Sequence, residues 1–262
     1  MIPIYEKTFE IPLNVKEPWY IKEYKFDSTS KNLDIWLDFK RGSKFSCPKC
    51  GKPDCSAYDT KEKVLRHINY FQYATYLHCR VPRVKCSNCG TPQVRVPWAR
   101  KQSHFTLQME AMILKLAKRM PVLQAGNLLG EHDTRLWRVI QHYVDEARSK
   151  EDFSDVVEIG IDETSCKKGH RYITLAVDIK DSKVIFVCEG KDSSTITGFS
   201  ENLQNHKGKP SNIKSVCCDM SPSYIAGISK ELHNAEITFD KFHVTKAMNE
   251  GVNEVRIQEQ KK

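Results

Sequence analysis

The sequence predicts an α+β chain of several domains, on three observations. Two Cys-x-x-Cys knuckles, Cys47-Pro-Lys-Cys50 and Cys86-Ser-Asn-Cys89, stand 35 residues apart. After residue 106 the apolar residues fall into the 3.6-residue period of helices. After residue 156 the pattern changes again, to short apolar strands alternating with helical stretches. At 262 residues the chain can bury a sizeable core but is long for one domain, so two or three units are expected.

The knuckles come first. A Cys-x-x-Cys turn points two sulfurs at one ion, roughly 2.3 Å from each, and a second knuckle closes a tetrahedron around zinc. Gly51 and Gly90, just after the knuckles, suit the positive φ of such turns. Cys47, Cys50, Cys86 and Cys89 are therefore the expected zinc ligands; two disulfides or four idle thiols are the alternative. The opening MIPIYEKTFEIPLNVKEPWY is charged and broken by prolines, unlike a signal peptide, so a reducing compartment is expected. Cys55 and Cys79 could replace a knuckle cysteine, or be buried or spare thiols. The stretch YFQYATYLHCRVPRV between the knuckles is rich in aromatic and β-branched residues, which predicts the short strands of a zinc ribbon. Trp19, Tyr20, Tyr24, Phe26 and Trp36 alternate with charges and predict a strand pair packed on that module.

Charge is uneven along the chain. Residues 40–101 carry fourteen Lys or Arg against three acids, which suits a polyanion; a solvated face or a protein-docking module is the alternative. Residues 1–150 are net +11 and residues 151–262 net −3. No apolar run approaches the ~20 residues of a membrane helix, so no membrane partner is expected.

Leu107, Met109, Met112, Ile113, Leu116 and Ala117 mark an amphipathic helix that Pro121 stops. A short helix follows, with Val122, Ala125, Leu128 and Leu129 inward and Gly130 as its C-terminal cap. After a turn at Glu131 and His132, Asp133 or Thr134 caps a third helix with an inward stripe of Leu136, Val139, Ile140 and Tyr143. Two helices across a short turn, the second opening with Thr134, Arg135 and Arg138, have the layout of a helix-turn-helix that reads the major groove of double-stranded DNA. A plain helical hairpin or a dimerisation element is the alternative. Linkers are expected near residues 100–105 and 149–155.

The back half reads as a strand over Val156–Asp162, a hairpin of Arg171–Ile179 and Lys183–Cys188, and a helix over Ser194–Gln204. A strand ending at Asp219, a helix over Pro222–Leu232 and a strand ending before Asp240 follow. That order describes a ribonuclease-H-like mixed sheet. Its first and fourth strands are neighbours, so Asp162 and Asp219 converge at the carboxyl edge, where α/β folds place their chemistry. Two carboxylates there repel unless a cation neutralises them, and hard oxygen ligands select magnesium or manganese. An aspartate closing a strand is also a common turn residue.

Cys47-Pro-Lys-Cys50-Gly51, Cys86-x-x-Cys89-Gly90, the helix-turn-helix, Gly160-Ile161-Asp162-Glu163, the run Val216 to Tyr224 and Phe239-Asp240-Lys241-Phe242-His243-Val244 together resemble the DDE transposases of bacterial insertion sequences in the ISL-three group. The resemblance runs from Cys47 to the C-terminus. It implies that Asp162 and Asp219 are the first two catalytic acids, and that zinc and helix-turn-helix modules bind terminal inverted repeats. It also implies divalent-metal strand cleavage and transfer by a homo-oligomer on DNA, in the bacterial cytoplasm at the nucleoid. Family members carry their third acid, a glutamate, on a helix well beyond the Phe-Asp-Lys-Phe-His segment; Glu250, Glu254 and Glu259 lie too soon after Asp240 to match it. The chain therefore reads as C-terminally truncated and catalytically deficient unless a second polypeptide completes it. Asp240 and His243 are expected near the metal site, with capping of a strand-to-helix turn at least as good a role for Asp240.

The expected organisation is an N-terminal segment of unclear role (1–40), a zinc-binding domain (41–100), a helix-turn-helix domain (101–150) and an incomplete ribonuclease-H-like domain (151–262). Two rival functions stand beside the transposase: a DNA-binding repressor derived from one, and a protein-docking zinc module on an idle scaffold.

Overall fold

The computed structural model describes residues 4–167 and 171–261. The chain divides into two compact units, Met1–Val144 and Asp145–Lys262.

In the first unit, α1 (Ile4–Leu13) precedes β1 (Trp19–Asp27), β2 (Asn32–Phe39), β3 (Lys44–Phe45), β4 (Cys55–Tyr70) and β5 (Tyr73–Val84). The five strands form one sheet, ordered β1-β2-β5-β4-β3. The N-terminal segment, through β1 and β2, thus shares a sheet with the zinc module rather than merely packing on it. The join is the parallel pairing of β2 with β5, which sets Leu33, Ile35 and Leu37 beside Thr75, Leu77 and Cys79. All six are buried, as period-2 alternation requires of a strand with one face on a core. In place of the short ribbon strands expected, β4 and β5 make a long antiparallel hairpin turning at Phe71 and Gln72. Trp19 meets Trp98 edge-on at 5.1 Å in the same core.

Three helices follow: α2 (Leu107–Ala117), α3 (Val122–Leu129) and α4 (Asp133–Arg148), whose residues 133–144 belong to this unit. Thr106 caps α2, its hydroxyl accepting from Met109 N at 3.2 Å, and Gly130 closes α3 with φ 66°. Met109, Ile113, Ala125, Leu136 and Val139 are buried together, with Ile140 and Tyr143 packed against them, so the α4 stripe is as expected. Two inward expectations fail: Leu107 and Leu128 are exposed. In α3 the buried face instead runs through Ala125 and Gly126, because α3 packs its backbone against the following turn. A Cβ on Gly126 would lie 2.7 Å from Glu131 O.

Residues 100–105, an expected linker, are strapped down. Arg66 N donates to His104 O at 2.8 Å, and Thr106 N to Arg66 O at 3.0 Å. Two buried carboxylates anchor the helices. Glu110, fully buried in α2, accepts from Arg100 Nε (2.8 Å), Ser103 Oγ (2.5 Å) and Tyr143 Oη (2.8 Å). Glu131, in the α3–α4 turn, faces Arg66 Nε of β4 at 3.2 Å and accepts from Arg135 Nη1. Arg66 also donates to Leu129 O at 3.2 Å. A buried charge is tolerated only when paired in this way.

The second unit orders its strands β10-β9-β6-β7-β8: β6 (Glu158–Lys167), β7 (Arg171–Asp178), β8 (Lys183–Glu189), β9 (Ser215–Cys218) and β10 (Glu236–Phe239). The first three are antiparallel neighbours, and β9 and β10 run parallel to β6. This is the expected ribonuclease-H-like order. Helices α5 (Ser193–Asn205) and α6 (Pro222–Glu231) pack together, closely enough that a Cβ on Gly227 would meet Ile196 Cγ1 at 2.8 Å. Ile159, Ile196, Phe199, Leu203, Val216, Tyr224 and Ile228 form the core between helices and sheet. The last helix, α7 (Lys241–Glu259), has no buried residue and exposes Phe242, Met248, Val252 and Val255.

Removing the Glu131 carboxylate strands Arg66, whose side chain is 3 % exposed, without its partner. Glu131→Ala is therefore expected to destabilise the first unit by about 3 kcal/mol. Urea unfolding followed by tryptophan fluorescence measures this, and an unchanged midpoint would refute the clamp.

Candidate functional site

The knuckles meet as the spacing predicts. The sulfurs of Cys47, Cys50, Cys86 and Cys89 all lie within 4.8 Å of one another, and Cys50 Sγ is 3.7 Å from Cys86 Sγ. A tetrahedron with ~2.3 Å metal–sulfur bonds has an edge of about 3.8 Å, so the donor set fits zinc. Each knuckle is a tight turn closed by its glycine: Gly51 N donates to Cys47 O at 2.9 Å and Gly90 N to Cys86 O at 3.0 Å, with φ of 75° and 76°. Backbone amides of the turns, led by Asn88 N–H, hold the pKa of the Cys86 thiol down at about 6, and that of Cys50 lowers Cys47. The neighbouring Cys50 pushes Cys89 up to about 12. Four thiolates so close need a dication between them. All four ligands are protein groups, which marks the ion as structural. Cys55 and Cys79 stand outside the set; burial pushes Cys79 up to about 12.

The helix-turn-helix presents α4. Thr134 and Arg138 are exposed near its start, and Trp137 beside them is 53 % exposed. Arg135 is placed differently. Its guanidinium pairs with Glu131 and lies 4.6 Å from the centre of the Phe105 ring, so it is held within the unit.

In the second unit, the parallel pairing of β6 with β9 sets Glu158, Ile159 and Gly160 beside Ser215, Val216 and Cys217. Asp162 and Asp219 each lie two residues beyond the last pair, on the same edge. The expected strand end at Asp162 is corrected: β6 continues to Lys167, and Asp162 pairs with Leu175 of β7 in mid-strand. The hairpin partner β7 keeps the ladder going after β9 stops. Asp162 is exposed and Asp219 half-buried; Asp219 Oδ1 accepts from Ser221 N at 2.9 Å.

Asp240 belongs to the same edge. Phe239 pairs with Cys218, and Asp240 N donates to Cys218 O at 2.9 Å. Its carboxylate caps α7, accepting from Phe242 N at 3.2 Å, and sits 3.0 Å from His243 Nδ1. These hydrogen bonds, Phe242 N–H first, lower its pKa below the usual carboxylate range. Next to Asp162, Glu163 lies 3.3 Å from Tyr224 Oη, which itself sits 2.8 Å from Thr174 Oγ1. Among the described residues, the four cysteines are the one set of three or more metal-ligating side chains whose donor atoms approach within 4.8 Å of one another.

Sequence reasoning missed Arg66, Glu110 and Glu131. A signal existed for Glu110: it lies three residues before Ile113 on the buried stripe of its helix, where a lone carboxylate demands partners. None existed for Arg66, whose partner is 65 positions away.

Comparison with known proteins accounts for all three parts. Residues 43–89 match the zinc-finger of transposase IS204/IS1001/IS1096/IS1165, residues 94–144 the helix-turn-helix domain of transposase family ISL3, and residues 159–262 the DDE transposase domain of that family. The transposase for insertion sequence element IS1001 of Bordetella parapertussis is 28 % identical over 220 residues, covering 80 % of this chain and 52 % of that protein. The transposase for IS1557 of Mycobacterium tuberculosis is 27 % identical over 207 residues, covering 76 % and 45 %. The chain thus spans about half the length of the curated relatives it matches. No helix among the described residues is long and apolar enough to cross a membrane. With zinc ribbon, helix-turn-helix and transposase domain each matched, in this order along one chain, the protein belongs to the ISL3 family of insertion-sequence transposases.

Proposed function

We infer that this chain binds the terminal inverted repeats of its insertion sequence and supplies Asp162 and Asp219 to a divalent-metal site for DNA strand cleavage and transfer. The observation that carries the reading is the β6–β9 register, which brings these two aspartates to one sheet edge. Their oxygens suit magnesium or manganese better than zinc. An ion held there supplies Lewis-acid polarisation of a phosphodiester and a more acidic attacking hydroxyl. Asp162 is fixed by the ladder on its β7 side and Asp219 by the Ser221 amide, so both present oxygens without a loop having to order. Asp240, engaged by Phe242 N and His243, shapes the edge beside them and is not assigned as a ligand.

On the DNA-binding side, Thr134 and Arg138 contact the major groove, while Arg135 orients α4 through Glu131 and Phe105. Paired ends of an element call for more than one copy of the chain, so assembly as a homo-oligomer on DNA, at the bacterial nucleoid, is part of the reading.

Incubating the zinc-loaded chain with an inverted-repeat duplex and manganese is expected to give a retarded complex, and metal-dependent nicking is expected to be lost in Asp162→Ala; nicking that survives Asp162→Ala would overturn the site. A complex that forms without any manganese binding to the wild-type chain would favour a repressor instead. Chelating zinc is expected to abolish the retarded complex and to lower the unfolding temperature; unaltered binding after zinc loss would remove the ion from DNA recognition. Salt titrations separate the arginines: Arg138→Ala should reduce the slope of log K against log salt by about 1, whereas Arg135→Ala should weaken binding with the slope unchanged.

A further inference from the structure

A groove of about 410 Å³ in the first unit runs between the first zinc knuckle and the segment that leads into α2. Five of its lining residues are basic, namely Lys49, Lys63, Arg95, Arg100 and Lys101, and none is acidic. Arg100 is committed to Glu110 behind the groove. The other four form no ion pair among the described residues, although the chain pairs many of its surface cations. Four unpaired cations around one concavity raise one another's energy until a polyanion enters. Burial, chiefly, depresses the Lys63 ammonium; Cys79 opposes the shift and Arg100 nearby adds to it.

We propose that this groove seats the DNA sugar–phosphate backbone, clamping the duplex between the zinc knuckle and the entry to the helix-turn-helix. The proposal rests on the DNA-binding reading above and deepens it. The choice of a phosphate chain over a planar ligand follows from the lining, which contains no aromatic ring to stack a base or nucleoside. The choice of double-stranded DNA follows from continuity, since residues 92–102 of the lining pass directly into α2. Lys49 stands between two zinc ligands in the first knuckle, so the ion fixes one wall of the groove. Arg100, held by a fully buried carboxylate, fixes the other. Backbone contacts of this kind set register and carry no sequence information; they add to the base contacts assigned to α4.

The test measures binding of the zinc-loaded chain to a duplex of unrelated sequence across a salt series. Arg95→Gln combined with Lys101→Gln is expected to lower affinity and reduce the salt slope by about 2, near 0.9 for each phosphate that is no longer neutralised. The control is Lys44→Gln with Lys52→Gln, two cations of the same module outside the groove, bonded instead to Ser56 and Ser87. An unchanged slope in the groove variant, or an equal reduction in the control, overturns the proposal. Zinc content and unfolding temperature matching wild type exclude a folding defect, and Lys49→Gln provides an independent groove variant if the pair misfolds. Failure of the wild-type chain to bind any duplex removes the DNA-binding reading and the groove with it; failure of the groove alone leaves wild-type binding intact.

Discussion

Glu110 and Glu131 are carboxylates removed from water, and neither can stay there unless the chain brings cations and hydroxyls to them. That requirement organises the first unit. Glu131 sits in the turn between α3 and α4 and faces Arg66 on the long hairpin, so the angle of the presented helix is referred to the sheet. Glu110 gathers Arg100, Ser103 and Tyr143, which joins the strap after the zinc module to two helices at once. A helix-turn-helix has little core of its own, and six buried apolar side chains hold this one. The ionic anchors supply the orientation that so small a core leaves loose, because they are directional where apolar packing is not.

The second unit solves another positional problem by topology. Two aspartates 57 residues apart in sequence reach one edge because β9 returns parallel to β6 after a helical crossover, the arrangement that puts strand ends of both on the same side. Side-chain chemistry enters only afterwards. The zinc knuckles work the other way: each pair of thiols is gathered by its own tight turn, and the long hairpin between the pairs brings the two turns together.

How far the sequence could be read follows from how local each determinant is. The knuckles, the Gly130 cap and the Leu136–Val139 stripe depend on neighbours within a few residues, and they stand where the pattern places them; the Thr106 cap is equally local. The strand order and the Asp162–Asp219 edge were legible too, since only the alternation of strand and helix was needed. Asp162 in mid-strand was not, because a polar residue after an apolar run looks like its end; the ladder with β7 is what carries the strand past it. The inward reading of Leu128 failed through Gly126, whose missing side chain lets the following turn come close. Arg135 looked free because its position on α4 says nothing of Phe105, 30 residues earlier. The β2–β5 pairing that merges the N-terminal strands with the zinc module is likewise a long-range, parallel contact without local signature.

Asp219 and Asp240 share one further circumstance: each stands at the start of a helix. Asp219 accepts the Ser221 amide just before α6, and Asp240 caps α7. The positive ends of two helices, roughly half an elementary charge each, therefore lean on the acidic edge from within the protein.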